Sequence, residues 1–276
     1  MADAKSETTS DTVFAGALAG IYQNYFVPLA FQPYASDLAQ RLAGRRVSRV
    51  LEIGAGTGVV TRALAEVLPR DTVIVATDLN PGMLAEAAAL PIARPVEWRP
   101  ADAMQLPFED ASFDAVVCQF TVMFFPDKPR GFAEVRRVLR PGGVFVFNVW
   151  DRIEDNEFTE VIVEAVATLF PADPPRFMVR IPHGYYDVLT IERDLAAGGF
   201  TAHPAVETIA VRSRADSARI PAIAICQGTP MRSEIEARDP SRLGEATDVA
   251  AAALAKRFGT GPVDGKIQAH IVTIER

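Results

Sequence analysis

Val50-Leu51-Glu52-Ile53-Gly54-Ala55-Gly56-Thr57-Gly58, followed at once by the helix-forming run from Val59 to Leu68, decides the fold. Four residues of strand-like character lead into a glycine-studded turn, and a helix begins where the turn ends. Gly54 allows turn dihedrals that a side chain forbids. Gly56 and Gly58 remove Cβ atoms where a ligand would press on the chain, and the first helical amides face that ligand unpaired. Such a strand–turn–helix also serves as a plain βα connection, so its neighbours must decide.

Outward from this turn, short apolar runs alternate with helical ones from Val47 to Val149, the pattern of a parallel sheet built from βαβ units. Strands are expected near Ser48 to Ile53, Thr72 to Thr77, Val96 to Arg99, Phe113 to Gln119 and Val144 to Val149. Asn80-Pro81 starts a helix with an N-cap and a first-turn proline, and Pro91 follows it. Gly131 to Leu139 is amphipathic, and Arg140-Pro141-Gly142-Gly143 reads as the turn that ends it. Beyond Trp150 the pattern is less regular. Helices are expected at Phe158 to Leu169, at Thr190 to Ala197 and within Ser217 to Phe258, with strands at Ala205 to Val211 and Ile267 to Glu275.

The fold expectation is an α/β, Rossmann-like, doubly wound seven-stranded sheet, mostly parallel with an antiparallel terminal strand, plus helical lid insertions. Residues 1–13 are expected to be a flexible tail and 14–276 a single domain. Within it, 14–46 form a helical cap, 47–150 the cofactor-binding core, 151–189 a lid insertion, and 190–276 the completion of the sheet.

The 276 residues suffice for one large α/β domain. A net charge of -7 argues against sequence-independent nucleic-acid binding. Two cysteines, Cys118 and Cys226, give no disulfide framework and no cysteine zinc site. The polar start lacks the apolar stretch of a signal peptide, and Phe14 to Phe31 is interrupted by Gln23, Asn24 and Pro28, so no membrane span is expected. A soluble, cytoplasmic protein is the expectation.

A dinucleotide fingerprint would put its third small residue at position 59, which is Val59; here the third glycine sits one place early, at Gly58. With Glu52 two residues ahead of Gly54, the arrangement resembles motif I of the class I S-adenosylmethionine (SAM) dependent methyltransferases. Asp78 closes the second strand, where a carboxylate suits both ribose hydroxyls. Asp102, in Pro100-Ala101-Asp102-Ala103, looks like the family's adenine-recognition acid. Leu106-Pro107-Phe108, Ser112-Phe113-Asp114 and Leu139-Arg140-Pro141-Gly142-Gly143 resemble the links around the fourth strand and before the fifth. The motif order is most similar to the type 11 and type 25 methyltransferases, the broad group that includes quinone-biosynthesis enzymes.

The resemblance implies SAM as cofactor and S-adenosylhomocysteine as product. It implies a cofactor site from Tyr25, Glu52, Gly54, Ala55, Gly56, Thr57, Gly58, Asp78, Leu79, Met83, Asp102, Ala103, Met104, Gln119 and Phe120. After the fourth strand the chain reads Gln119-Phe120-Thr121-Val122-Met123-Phe124-Phe125-Pro126, unlike the Asp/Asn-Pro-Pro-Tyr/Phe of amide and exocyclic-amine methyltransferases. A small, apolar or aromatic acceptor fits better. Asp151 follows the fifth strand, but Gln119 offers no charge after the fourth, so no metal is expected.

Acceptor contacts are assigned to Tyr22, Phe124, Phe177, His183 and Tyr185, with Phe158, Phe170 and Met178 as further apolar wall; packing of a lid or a subunit contact fits these aromatics equally. His183 is the one candidate general base. A homodimer stays open. The rival readings are a non-catalytic SAM-binding module and an NAD-dependent oxidoreductase.

Overall fold

The computed structural model describes residues 20–276, so the expected tail at 1–13 lies outside the described residues. The strands β1 (Arg49–Ile53), β2 (Val73–Asp78), β3 (Glu97–Pro100), β4 (Phe113–Gln119), β5 (Leu139–Trp150), β6 (Ala205–Ala215) and β7 (Val263–Glu275) form one sheet. Its order is β3-β2-β1-β4-β5-β7-β6. Strands β1 to β5 pair in parallel. β7 runs against β5, as Gly142 N–H donates to Arg276 O while Asp151 N–H donates to Gln268 O. The sheet is therefore mixed, with a Rossmann-like parallel part. The order reverses between β1 and β4, and loops leaving the carboxyl ends of these two strands line the crevice where such sheets bind ligands.

Burial explains the strand sequences. Val50, Leu51, Val116, Val117, Phe145 and Phe147 are shielded on both faces of the sheet, which is why β4 and β5 read as near-continuous apolar runs. Asn80 caps the helix Pro81–Ala89, accepting a hydrogen bond from Gly82 N–H, and Pro81 occupies the first turn as expected.

Two stretches depart from the expectation. Arg140 to Gly143 is not a turn before the fifth strand but an irregularity inside it: β5 already pairs at Leu139 with Phe113, then resumes at Val144 opposite Ala115. Gly142, at φ 77°, absorbs the extra residues. The Tyr22–Phe31 segment is wound as a π-helix around Pro28, ahead of a regular helix at Gln32–Gln40. A proline lacks the N–H of the α-helical ladder, and the wider winding accommodates the break.

The chain falls into two compact units. One comprises Gln32–Val149, Tyr185–Ile209 and Ala269–Arg276. It holds the parallel strands, the helices Val59–Val67, Pro81–Ala89, Lys128–Val138 and Val188–Ala197, and a core that includes Tyr34, Phe132, Phe145 and Phe147. The other comprises Trp150–Gly184, Ala210–Gln268 and the described residues up to Phe31. Its helices Glu157–Ala167, Arg219–Gly228 and Leu243–Phe258 pack together, with Phe158 lying where a Cβ on Gly265 would be 2.6 Å from its ring.

Candidate functional site

In the unit of parallel strands, β1 delivers the turn Gly54–Gly58 to the switch point. Gly54, Gly56 and Gly58 all have positive φ, at 70°, 54° and 81°. Neighbouring protein explains two of them. A Cβ on Gly54 would come within 2.3 Å of Thr121 Oγ1, and one on Gly58 would crowd Trp98 at 3.1 Å. Room for protein side chains, rather than direct clearance for a ligand, therefore accounts for the absent Cβ at Gly58. Ala55 is buried in the turn, and its amide donates to Thr77 O.

Two acids meet here. Asp78 closes β2, and its Oδ2 accepts from Gly56 N–H and its Oδ1 from Asn80 N–H, both at 2.8 Å. Burial raises its pKa, against the pull of those amides. Glu52 is only 2% exposed and accepts a hydrogen bond from Thr61 Oγ1 at 2.5 Å. Burial pushes its carboxyl up to about 8, with the Asp78 charge adding to the rise. Arg62 spends an N–H on Thr57 O, and its pKa is lowered, by burial first. The Thr57 hydroxyl is buried with no hydrogen-bond partner among the described residues. A ligand bringing positive charge to the two acids and a polar end to Thr57 matches this donor and acceptor set. The paired anionic phosphates of a dinucleotide do not.

Around the turn, Leu79 is 61% exposed, an uncovered apolar side chain beside Asp78, and Met83 is buried on the following helix. Asp102 is exposed and folds an Asx-type turn, its Oδ1 accepting from Met104 N–H at 2.8 Å. Ala103 lies within that turn and Met104 is buried beneath it. Gln119 ends β4, and Phe120 follows with φ 48°, a strained value for a bulky residue. Its N–H is shared by the backbone oxygen and Oδ1 of Asn148 at 3.2 and 2.8 Å.

The structure brings together Glu52, Gly54 to Gly58, Asp78, Leu79, Met83, Asp102 to Met104, Gln119 and Phe120. Tyr22, Tyr25, Phe177 and His183 belong to the other unit. There Tyr22 packs against Phe26 and Phe31, at 5.8 and 5.3 Å between centroids, and Phe177 is core. Tyr185 belongs with the parallel strands, its hydroxyl donating to Asp194 and its ring lying under Lys128. Phe124 sits in a short 3-10 turn after β4.

Sequence reasoning missed Thr61, Thr121 and Asn148 as supports of the site. Asn148 carried a readable signal, being the one polar residue in the run Val144 to Val149. Among the described residues no group of three candidate ligands is placed to hold a metal, and no helix is long and apolar enough to cross a membrane.

Residues 51–147 match the family described as a methyltransferase domain. With the fold and the glycine turn, this makes the matched stretch similar to the class I SAM-dependent methyltransferases. It is similar to a demethylmenaquinone methyltransferase of Deinococcus radiodurans, 42% identical over 100 residues covering 36% of this chain and 41% of that one. A malonyl-[acyl-carrier protein] O-methyltransferase of Geobacter sulfurreducens is 34% identical over 159 residues, covering 57% of each chain. The chain thus spans about half the length of the curated relatives it matches. A Haemonchus contortus phosphoethanolamine N-methyltransferase 2, solved with phosphomonomethylethanolamine and S-adenosylhomocysteine, shares the fold at TM-score 0.55 and 20% identity, over 93% of this chain and 55% of that one.

Proposed function

We propose that the protein transfers a methyl group from SAM to a small, mainly apolar acceptor. The observation that carries this reading is the meeting of a buried acid, Glu52, and a half-buried one, Asp78, at one glycine turn, both with raised pKa. Bound SAM supplies a methyl group already activated by its sulfonium.

The chain's own residues then have three tasks. Asp78, held by the Gly56 and Asn80 amides, accepts the ribose hydroxyls. Leu79 and Met83 offer apolar surface to the adenine, and Asp102 presents its carboxylate at the edge of that surface. Glu52, protonated in the free chain, gives up its proton when the cationic cofactor arrives and then offsets its positive charge, and the Thr57 hydroxyl takes a polar group of its amino-acid end. Phe120, clamped by Asn148, supports the floor. Alignment and exclusion of water supply the acceleration, for which roughly 7–11 kcal/mol is available from proximity, so a dedicated base is not required.

Calorimetry with SAM, S-adenosylhomocysteine and NADH tests the cofactor; heat with the first two and none with NADH is expected. Transfer of labelled methyl across a panel of small acceptors tests the reaction. Binding without transfer to any acceptor would favour a non-catalytic module, and NADH binding alone would favour an oxidoreductase.

A further inference from the structure

Apart from Ala111, Phe120 is the only non-glycine residue with positive φ among the described residues, at 48°. A large side chain keeps that backbone only where its surroundings hold it there, and such strain gathers at working sites. Asn148 does the holding. It stands in register with Gln119 on the neighbouring strand, and the Phe120 N–H donates to both its backbone oxygen and its Oδ1.

Stability alone does not explain this asparagine. It is fully buried within the apolar run Val144 to Val149, and its Nδ2 has no hydrogen-bond partner among the described residues. A buried donor left unspent costs free energy. Nor does Phe120 need Oδ1 to satisfy its N–H, because the backbone oxygen of residue 148 accepts it whatever the side chain. What Oδ1 adds is a second, shorter bond, 2.8 against 3.2 Å, that fixes the direction of the amide. The Phe120 ring is fixed as well, edge-on against the buried Tyr34 at 5.3 Å between centroids.

That direction decides where the next residue goes. Thr121 puts its Oγ1, Cγ2 and Cβ within 2.3 to 2.7 Å of the point where a Cβ on Gly54 would stand. Its Oγ1 also lies 3.0 Å from Gln119 O and 3.4 Å from Gly54 O, to which a hydroxyl donates. The bend at Phe120 therefore turns Thr121 onto the first glycine of the turn, and that turn presents Gly56 N–H to Asp78.

We propose that Asn148 is a positioning residue for cofactor binding: through Phe120 it seats Thr121 against Gly54 and so sets the glycine turn. This rests on the reading above, in that the turn must be where the cofactor binds.

The test is calorimetry with S-adenosylhomocysteine on the full chain, beside denaturant unfolding of the same samples. Asn148→Leu keeps the size and removes both Oδ1 and the unspent donor. It should weaken S-adenosylhomocysteine about tenfold while the unfolding midpoint stays level or rises. In a Phe120→Gly background the same substitution should change the affinity less than about twofold, since glycine takes the left-handed backbone unaided.

The same loss in the glycine background overturns the proposal. So does a loss of affinity that comes with a lower unfolding midpoint, which is what a merely structural residue would give. Should Asn148→Leu fail to fold, hydrogen exchange at the Phe120 amide of the natural chain decides. Saturating S-adenosylhomocysteine slows it if the clamp and the cofactor depend on each other, and an unchanged rate overturns the proposal. No heat with S-adenosylhomocysteine from the natural chain defeats the proposed function and this inference with it. Heat that Asn148→Leu leaves unchanged defeats this inference alone.

Discussion

In the proposed reading Asp78 and Glu52 divide the work of one cationic ligand, and each yields a separate measurement. Asp78→Ala removes the acceptor held by Gly56 and Asn80. SAM affinity should fall by about 1–3 kcal/mol, the worth of hydrogen bonds to a charged group. Calorimetry on a folded variant with unchanged affinity would take Asp78 out of the site. Glu52 carries a pH signature. Its carboxyl binds a proton more tightly in the folded chain, at about 8, than its ordinary 4.5. The folded chain therefore holds an extra proton between those values. Glu52's contribution to stability is complete below 4.5, declines as pH rises, and is lost above 8, at up to about 1.4 kcal/mol per pH unit. Glu52→Gln lacks this slope, so relative to the natural chain it should gain stability between pH 5 and 8.5. Denaturant midpoints that fall in parallel for the two proteins would contradict the assignment.

At the scale of elements, the βα turn shows what a motif does and does not reveal. Its spacing displayed the three glycines and the turn dihedrals of Gly54, whereas the positive φ of Gly56 and Gly58 is visible only in the structure. The partners that crowd Gly54 and Gly58 come from positions 98 and 121, which no local pattern links to the turn. Gly54→Ala forces a left-handed backbone on alanine and drives its methyl into Thr121. A loss of about 2–4 kcal/mol in stability is expected, from backbone strain and overpacking together. In a Thr121→Gly background the collision disappears, and the same substitution should cost only the backbone part, about 1–2 kcal/mol. Equal costs in both backgrounds, measured by denaturant unfolding, would show that Thr121 is not what the glycine makes room for. The irregular stretch in β5 was hidden for a related reason. Arg-Pro-Gly-Gly has turn chemistry at any location, and only pairing of Leu139 with Phe113 shows that the strand had already begun.

For the whole molecule, most of the parallel sheet could be read from sequence because β1, β2, β4 and β5 are largely buried and announce themselves as apolar runs, while the edge strand β3 is mostly exposed and polar. The helices after Trp150 were harder to place, since their packing depends on residues far apart in sequence, such as Phe158 over Gly265. What joins these parts functionally is linkage: a ligand that binds the folded chain and not the unfolded one stabilises it by mass action. S-Adenosylhomocysteine at about one hundred times its dissociation constant adds roughly 2.7 kcal/mol. For a chain of this length, that corresponds to a rise of about 5 °C in melting temperature. NADH at the same concentration should leave the transition where it was, because its paired phosphates find no basic side chain among Glu52, Asp78 and Thr57 at the turn. In Asp78→Ala the rise with S-adenosylhomocysteine should shrink in step with the lost affinity. A shift that survives intact in that variant would mean that the ligand is held elsewhere on the molecule, and the glycine turn would lose its assigned role.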